Sequence, residues 1–75
     1  MKDTDDLIIQ GTIFLEDGKF EQALDYFEQA LMLNPNDSRI WNKKGIALRS
    51  VGRYNEAIEC FNKSLELEPT DHDAS

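Results

Sequence analysis

Side chains able to do chemistry are sparse in this chain, and they do not converge. One cysteine, Cys60, and one histidine, His72, each stand without a second thiol or imidazole. A nucleophile needs a base within hydrogen-bond reach, and a metal site needs several ligands on one spot. No Ser/His/Asp set, metal-ligand spacing or phosphate loop is present, so neither an enzyme nor a bound cofactor is expected. Cys60 cannot form an internal disulfide. It reads as a small buried apolar side chain, with redox or nucleophilic chemistry as the other option. Asp3, Asp5 and Asp6 crowd together as if to hold a cation, but carboxylates at a helix start more commonly serve capping and the helix dipole. The densest chemistry is basic: Arg39, Lys43, Lys44, Arg49 and Arg53 fall within residues 38–55, which contain no acid. Arg39 and Lys43 are four apart and therefore neighbours on one helical face.

The bulk composition limits what such a basic face can do. The chain has 75 residues and a net charge of −7, distributed unevenly. Residues 1–37 hold nine acids against two bases, whereas residues 38–75 hold six of each. An acidic whole argues against non-specific nucleic-acid binding, which draws its affinity from phosphate neutralisation. No apolar run approaches the roughly 20 residues that cross a bilayer. The acidic start, Asp3, Asp5 and Asp6 behind Met1 and Lys2, lacks the apolar core of a secretory signal. With a single cysteine, these features favour a reducing, cytoplasmic setting.

Shifting the sequence against itself by 34 residues brings Gly11 onto Gly45, Gly18 onto Gly52, Ala23 onto Ala57 and Phe27 onto Phe61. It also brings Leu31 onto Leu65, Leu33 onto Leu67, Pro35 onto Pro69 and Asp37 onto Asp71, without a gap. A fixed period of this kind marks stacked units that share one core. Each unit reads as helix, turn, helix. Thr4 and Ser38 are expected as N-caps, and Gly18 and Gly52 as the left-handed stops of the first helices, about 4–17 and 38–51. The second helices run from Phe20 to Leu33 and from Tyr54 to Leu67, with Phe20, Ala23, Leu24, Phe27, Ala30 and Leu31 on one apolar face. Pro35 and Pro69 lie just past their ends. Gly11 and Gly45 sit inside helices, where glycine costs ~1 kcal/mol relative to alanine. Their recurrence predicts a close approach of the paired helix, with Ala23 and Ala57 as the small partners.

In that register the residues resemble the tetratricopeptide repeat family over nearly the whole chain. The second unit carries Trp41, Gly45, Leu48, Gly52, Tyr54, Ala57, Phe61, Leu65, Leu67 and Pro69 in the family's signature places. The first has Leu7 at the tryptophan place, then Gly11, Phe14, Gly18, Phe20, Ala23, Phe27, Ala30 and Pro35. Departures are Gln10 and Lys44 where leucine is common, and Ser64 where a small apolar residue is usual; these are expected to loosen packing slightly. The resemblance implies an all-α fold of two tandem helix-turn-helix hairpins, residues 4–37 and 38–71, stacked as a right-handed α-solenoid. Residues 72–75 are then a tail or a truncated capping helix.

The resemblance also implies a ligand groove lined by the first helices. Arg39, Asn42, Lys43, Ile46, Arg49 and Ser50 are expected to point into it, with Ile8, Ile9, Thr12 and Leu15 as the corresponding places of the first unit. Those members of the family that hold the carboxylate end of a peptide use paired bases and asparagines on these helices, and Arg39 and Lys43 match the spacing of the basic pair in the last unit of that clamp. The first unit does not supply the rest of such a clamp, which leaves a groove apolar at one end and basic at the other, or simply a solvated basic face. Trp41 is expected to pack in the core rather than stack on a ligand. Two functional classes follow. One is an adaptor that binds a protein or peptide partner, acidic in part; the other is an assembly module that forms homo-oligomers through its open repeat ends.

Overall fold

The computed structural model describes residues 3–68, which form four α-helices: α1 (Thr4–Glu16), α2 (Phe20–Leu33), α3 (Ser38–Ser50) and α4 (Tyr54–Leu67). Pro69, Asp71, His72 and the expected tail or capping helix at 72–75 lie outside the described residues. The two second helices have the expected bounds, and the two first helices stop one residue earlier than expected.

Each hairpin closes by the same device. Gly18 and Gly52 have φ of 81° and 88°, a conformation that glycine enters without a Cβ clash. The amides that follow turn back onto the helix: Lys19 N–H donates to the Phe14 carbonyl at 2.8 Å, and Arg53 N–H to the Leu48 carbonyl at 2.9 Å. Gly18 and Gly52 donate to Leu15 and Arg49, completing a Schellman closure at both ends.

The helix starts differ from expectation. The caps are Asp3 and Asp37, one residue before Thr4 and Ser38. The Asp3 carboxylate accepts from the Asp6 amide at 2.9 Å, and that of Asp37 from the Arg39 amide at 3.0 Å. Asp3 and Asp37 are themselves 34 apart and identical, a signal that the Thr4/Ser38 pairing obscured.

Gly11 and Gly45 make room for an aromatic ring rather than for an alanine. A Cβ at Gly11 would lie 2.5 Å from Phe27 Cε1, and one at Gly45 would lie 2.6 Å from Phe61 Cε1. Ala23 and Ala57 are buried, but the atoms nearest to such a Cβ belong to the phenylalanine rings. The common core runs through both hairpins and includes Leu7, Leu24, Phe27, Ala30, Ile40, Ala47, Leu48 and Ala57. Helix α2 is covered by α1 on one side and by α3 on the other, whereas α4 packs on α3 alone among the described helices. The Ser64 position is not a loose spot: its hydroxyl donates to the Ser38 carbonyl at 3.0 Å and ties α4 to the start of α3.

Candidate functional site

Helices α1 and α3 are in contact with each other as well as with α2, so a face built from both exists. Its side chains fall into three groups. Asn42 and Arg49 on α3 are exposed, and Lys43 and Ile46 are half-buried. On α1, Thr12 is half-buried and its hydroxyl is already committed to the Ile8 carbonyl at 2.7 Å. Ile8 itself is only 7% exposed and belongs to the core, which corrects its expected place in the groove. Asn42, in the same place one repeat on, is exposed.

Ile9 is exposed. It sits one repeat before Lys43, and its neighbour Ile13 sits one repeat before Ala47, which is fully buried where α3 meets hairpin 1. Among the described residues that side of α1 meets no other hairpin, and Ile9 and Ile13 are 54% and 52% exposed.

The basic end is altered by pairing. Arg39 places its guanidinium across Asp37, with Nη2 2.6 Å from Oδ2 and Nε 3.0 Å from Oδ1, and it reaches Asp5 of α1 at 3.3 Å. The hydrogen bond from Arg39 holds the Asp37 carboxyl below its ordinary value of 3.8, and Asp37 in turn raises the guanidinium's pKa. Lys44 is bound to Glu28 at 2.9 Å and lies 5.5 Å from the centre of the Trp41 ring. Arg53 pairs with Glu56. The stretch that contains no acid in sequence thus meets acids from α1, α2 and α4 in space. Lys43 and Arg49 form no ion pair among the described residues, and Arg49 lies 5.9 Å from the centre of the Phe61 ring.

Trp41 is half-buried against the core, and its indole N–H donates to the Pro35 carbonyl at 2.8 Å, fastening the turn between the hairpins. Two depressions flank α3. Arg39 and Asn42 lie together in one of about 380 Å³ at the outer edge, floored by Phe61 and flanked by Ser64, Leu65 and Glu68. A second, of about 510 Å³, lies between α2 and α4 and includes Leu48 and Cys60. In hairpin 1 the equivalent places hold Phe14 and Tyr26, whose rings stack at 5.4 Å. Two smaller side chains leave that space open in hairpin 2. Burial pushes the Cys60 thiol above its ordinary range, so it is a poor nucleophile at neutral pH. Among the described residues no cluster of three or more His, Cys, Asp or Glu side chains is placed to hold a metal, and no helix is long and apolar enough to cross a membrane. Sequence periodicity overlooked Ile40 and Ala47, the two fully buried residues through which α3 joins hairpin 1.

The repeat pattern has counterparts among known sequences. A family profile described as tetratricopeptide repeat matches residues 10–75. The chain is 35% identical over 51 residues to a peroxisomal targeting signal receptor of Candida glabrata, covering 68% of this chain and 9% of that protein. The receptor of the same name from Saccharomyces cerevisiae is 40% identical over 43 residues, 57% of this chain and 7% of that protein. An uncharacterized protein of Methanocaldococcus jannaschii is 49% identical over 37 residues, 49% of this chain and 43% of that protein. The chain spans less than a tenth of the length of the two fungal receptors.

Proposed function

The chain belongs to the tetratricopeptide repeat family, and from that premise we propose that it takes a peptide segment of a partner protein along the face shared by α1 and α3. Interaction with other proteins is the general role that the repeats and the relatives support. The observation that carries the finer reading is the arrangement on α3: Lys43 and Arg49 lack an acidic partner among the described residues and flank the half-buried Ile46, with Asn42 exposed alongside. Such a strip offers two cations, an amide and apolar surface to an extended backbone. It favours a segment of partly acidic character, since unpaired cations attract and orient an oppositely charged partner. Arg39 contributes less than its sequence position promised, because Asp37 and Asp5 already hold its Nε and Nη2, which leaves Nη1 alone unengaged among the described residues. The fungal relatives are named as receptors for a peroxisomal targeting signal, which supports a binding role in general. A reducing, cytoplasmic setting is part of the same proposal. It rests on the composition and the single buried thiol.

The test is a titration of isotope-labelled chain, kept dilute, with an acidic model peptide and a basic control of equal length, followed by amide chemical shifts. Acidic peptide should move the amides of α3 and the facing turns of α1, and the double variant Lys43→Glu/Arg49→Glu should abolish the movement while helicity persists. Shifts confined to α2 and α4, or equal responses to both peptides, would refute the α1/α3 reading.

A further inference from the structure

Among the described residues two apolar edges are open, and the internal junction of the chain shows what fits between them. Hairpin 2 docks on hairpin 1 by laying α3 over α2, where Leu24 is 6% exposed and Phe27 fully buried. One repeat later, Ile58, Phe61 and Leu65 form the same face on α4, and Ile58 and Leu65 are 55% and 65% exposed. The opposite edge is the outer side of α1, where Ile9 and Ile13 stand in the places of Lys43 and Ala47.

We propose that copies of this chain associate head to tail, the α4 edge of one against the α1 edge of the next, in the register of the internal junction. The polar pairs across that junction support this occupant over others. Within the chain, Asp5 of α1 meets Arg39 of α3 at 3.3 Å. A shift of one repeat sets Arg39 of one copy against Asp5 of the next, again opposite in charge. The internal Glu28–Lys44 pair at 2.9 Å becomes Asn62 opposite Gln10, two amides that can satisfy each other without leaving a charge unpaired. The depression holding Arg39, Asn42 and Phe61 receives the start of the incoming α1. Charge distribution points the same way: head-to-tail contact brings the acidic residues 1–37 against the neutral half, whereas a two-fold pairing of α1 edges sets acid against acid.

Two places make the copy-to-copy junction more polar than the internal one. Asn42 stands where hairpin 1 has Ile8, and Asp6 stands where α3 has the fully buried Ile40. Association is therefore weak and reversible. Being heterologous, it does not stop at two.

Sedimentation equilibrium on the full chain tests the proposal with two edge-blocking variants at exposed positions, Ile13→Lys and Ile58→Lys. Wild-type average mass should rise past the dimer as concentration approaches about 1 mM, and each variant alone should associate about tenfold more weakly or worse. Mixed in equal amounts, the variants should form a one-to-one dimer and grow no further, because one retains its α4 edge and the other its α1 edge. If circular dichroism shows that a lysine variant has lost helicity, Ile13→Ser and Ile58→Ser replace the pair. A wild type that stays monomeric, one that plateaus at a dimer, or a mixture that behaves like its components overturns the proposal. The peptide titration, run on dilute monomer, is unaffected by any of these results.

Discussion

Glycine inside a helix is unfavourable, so its recurrence at residues 11 and 45 demands a contact that outweighs the loss. That contact is the ring of Phe27 or Phe61, close enough that an added Cβ would overlap it. The two sites differ in what surrounds the ring. Phe27 is fully buried beneath α3, whereas Phe61 is half-buried at the open edge. Alanine gains ~1 kcal/mol of helix propensity, and overpacking a fixed core loses ~1–3 kcal/mol. Gly11→Ala should therefore destabilise on balance, while Gly45→Ala should be close to neutral because its ring can move aside. Urea denaturation of the two variants checks this, and equal losses would mean that Phe61 is held as firmly as Phe27. The sequence exposed the recurrence but not its partner. Alanine and phenylalanine recur equally at the same shift, and only the crossing of the helices decides which one faces the glycine.

The start of α3 shows how one carboxylate can set both an element and its surface chemistry. Asp37 caps the helix through the Arg39 amide and binds the Arg39 side chain as well. Loss of an N-cap aspartate typically costs about 1 kcal/mol, so Asp37→Ala should lower stability by that order and Asp37→Asn by less. The charge adds a pH dependence of definite sign. The folded-state pKa of Asp37 lies below 3.8, so its stabilisation is complete above that value and disappears as pH falls through it toward the lower folded-state pKa. The difference in unfolding free energy between wild type and Asp37→Asn should shrink on going from about pH 5 to about pH 2. A difference that stays constant would show that the ionised form is not favoured in the fold. At this scale the second helices were legible to the residue, because proline and glycine bound them on both sides. The caps were shifted by one because threonine, serine and aspartate all have the chemistry to cap, and they stand next to one another. The candidate groove positions were legible only in part: a helical period separates inner from outer faces of one hairpin, but it does not show which outer positions the fold buries, as it buries Ile8.

In the molecule as a whole, cover is distributed along the stack. Among the described residues, helix α2 has a neighbour on both sides, while α4 has α3 on one side and an open face on the other. The same side chains report the difference, since Leu24 is 6% exposed and Ile58, in its place one repeat on, is 55% exposed. Repeat arrays draw their stability from each unit and from the junctions between units. A helix that lacks one junction should therefore open at a lower free energy than the helices beside it. Native-state hydrogen exchange on dilute chain should show α2 amides exchanging only through global unfolding, with α4 amides exchanging earlier through a local opening. Mild urea should separate the two classes, because local openings expose less surface and respond less steeply to denaturant. If α2 and α4 exchange with the same free energy and the same urea slope, the two hairpins unfold as one unit despite the uneven cover. Raising the protein concentration extends the experiment. Head-to-tail stacking supplies the missing junction at α4 and covers α1 of the next copy, so the amides of these two outer helices should slow together. The central amides of α2, already limited by global unfolding, should slow only by the amount that association adds to overall stability.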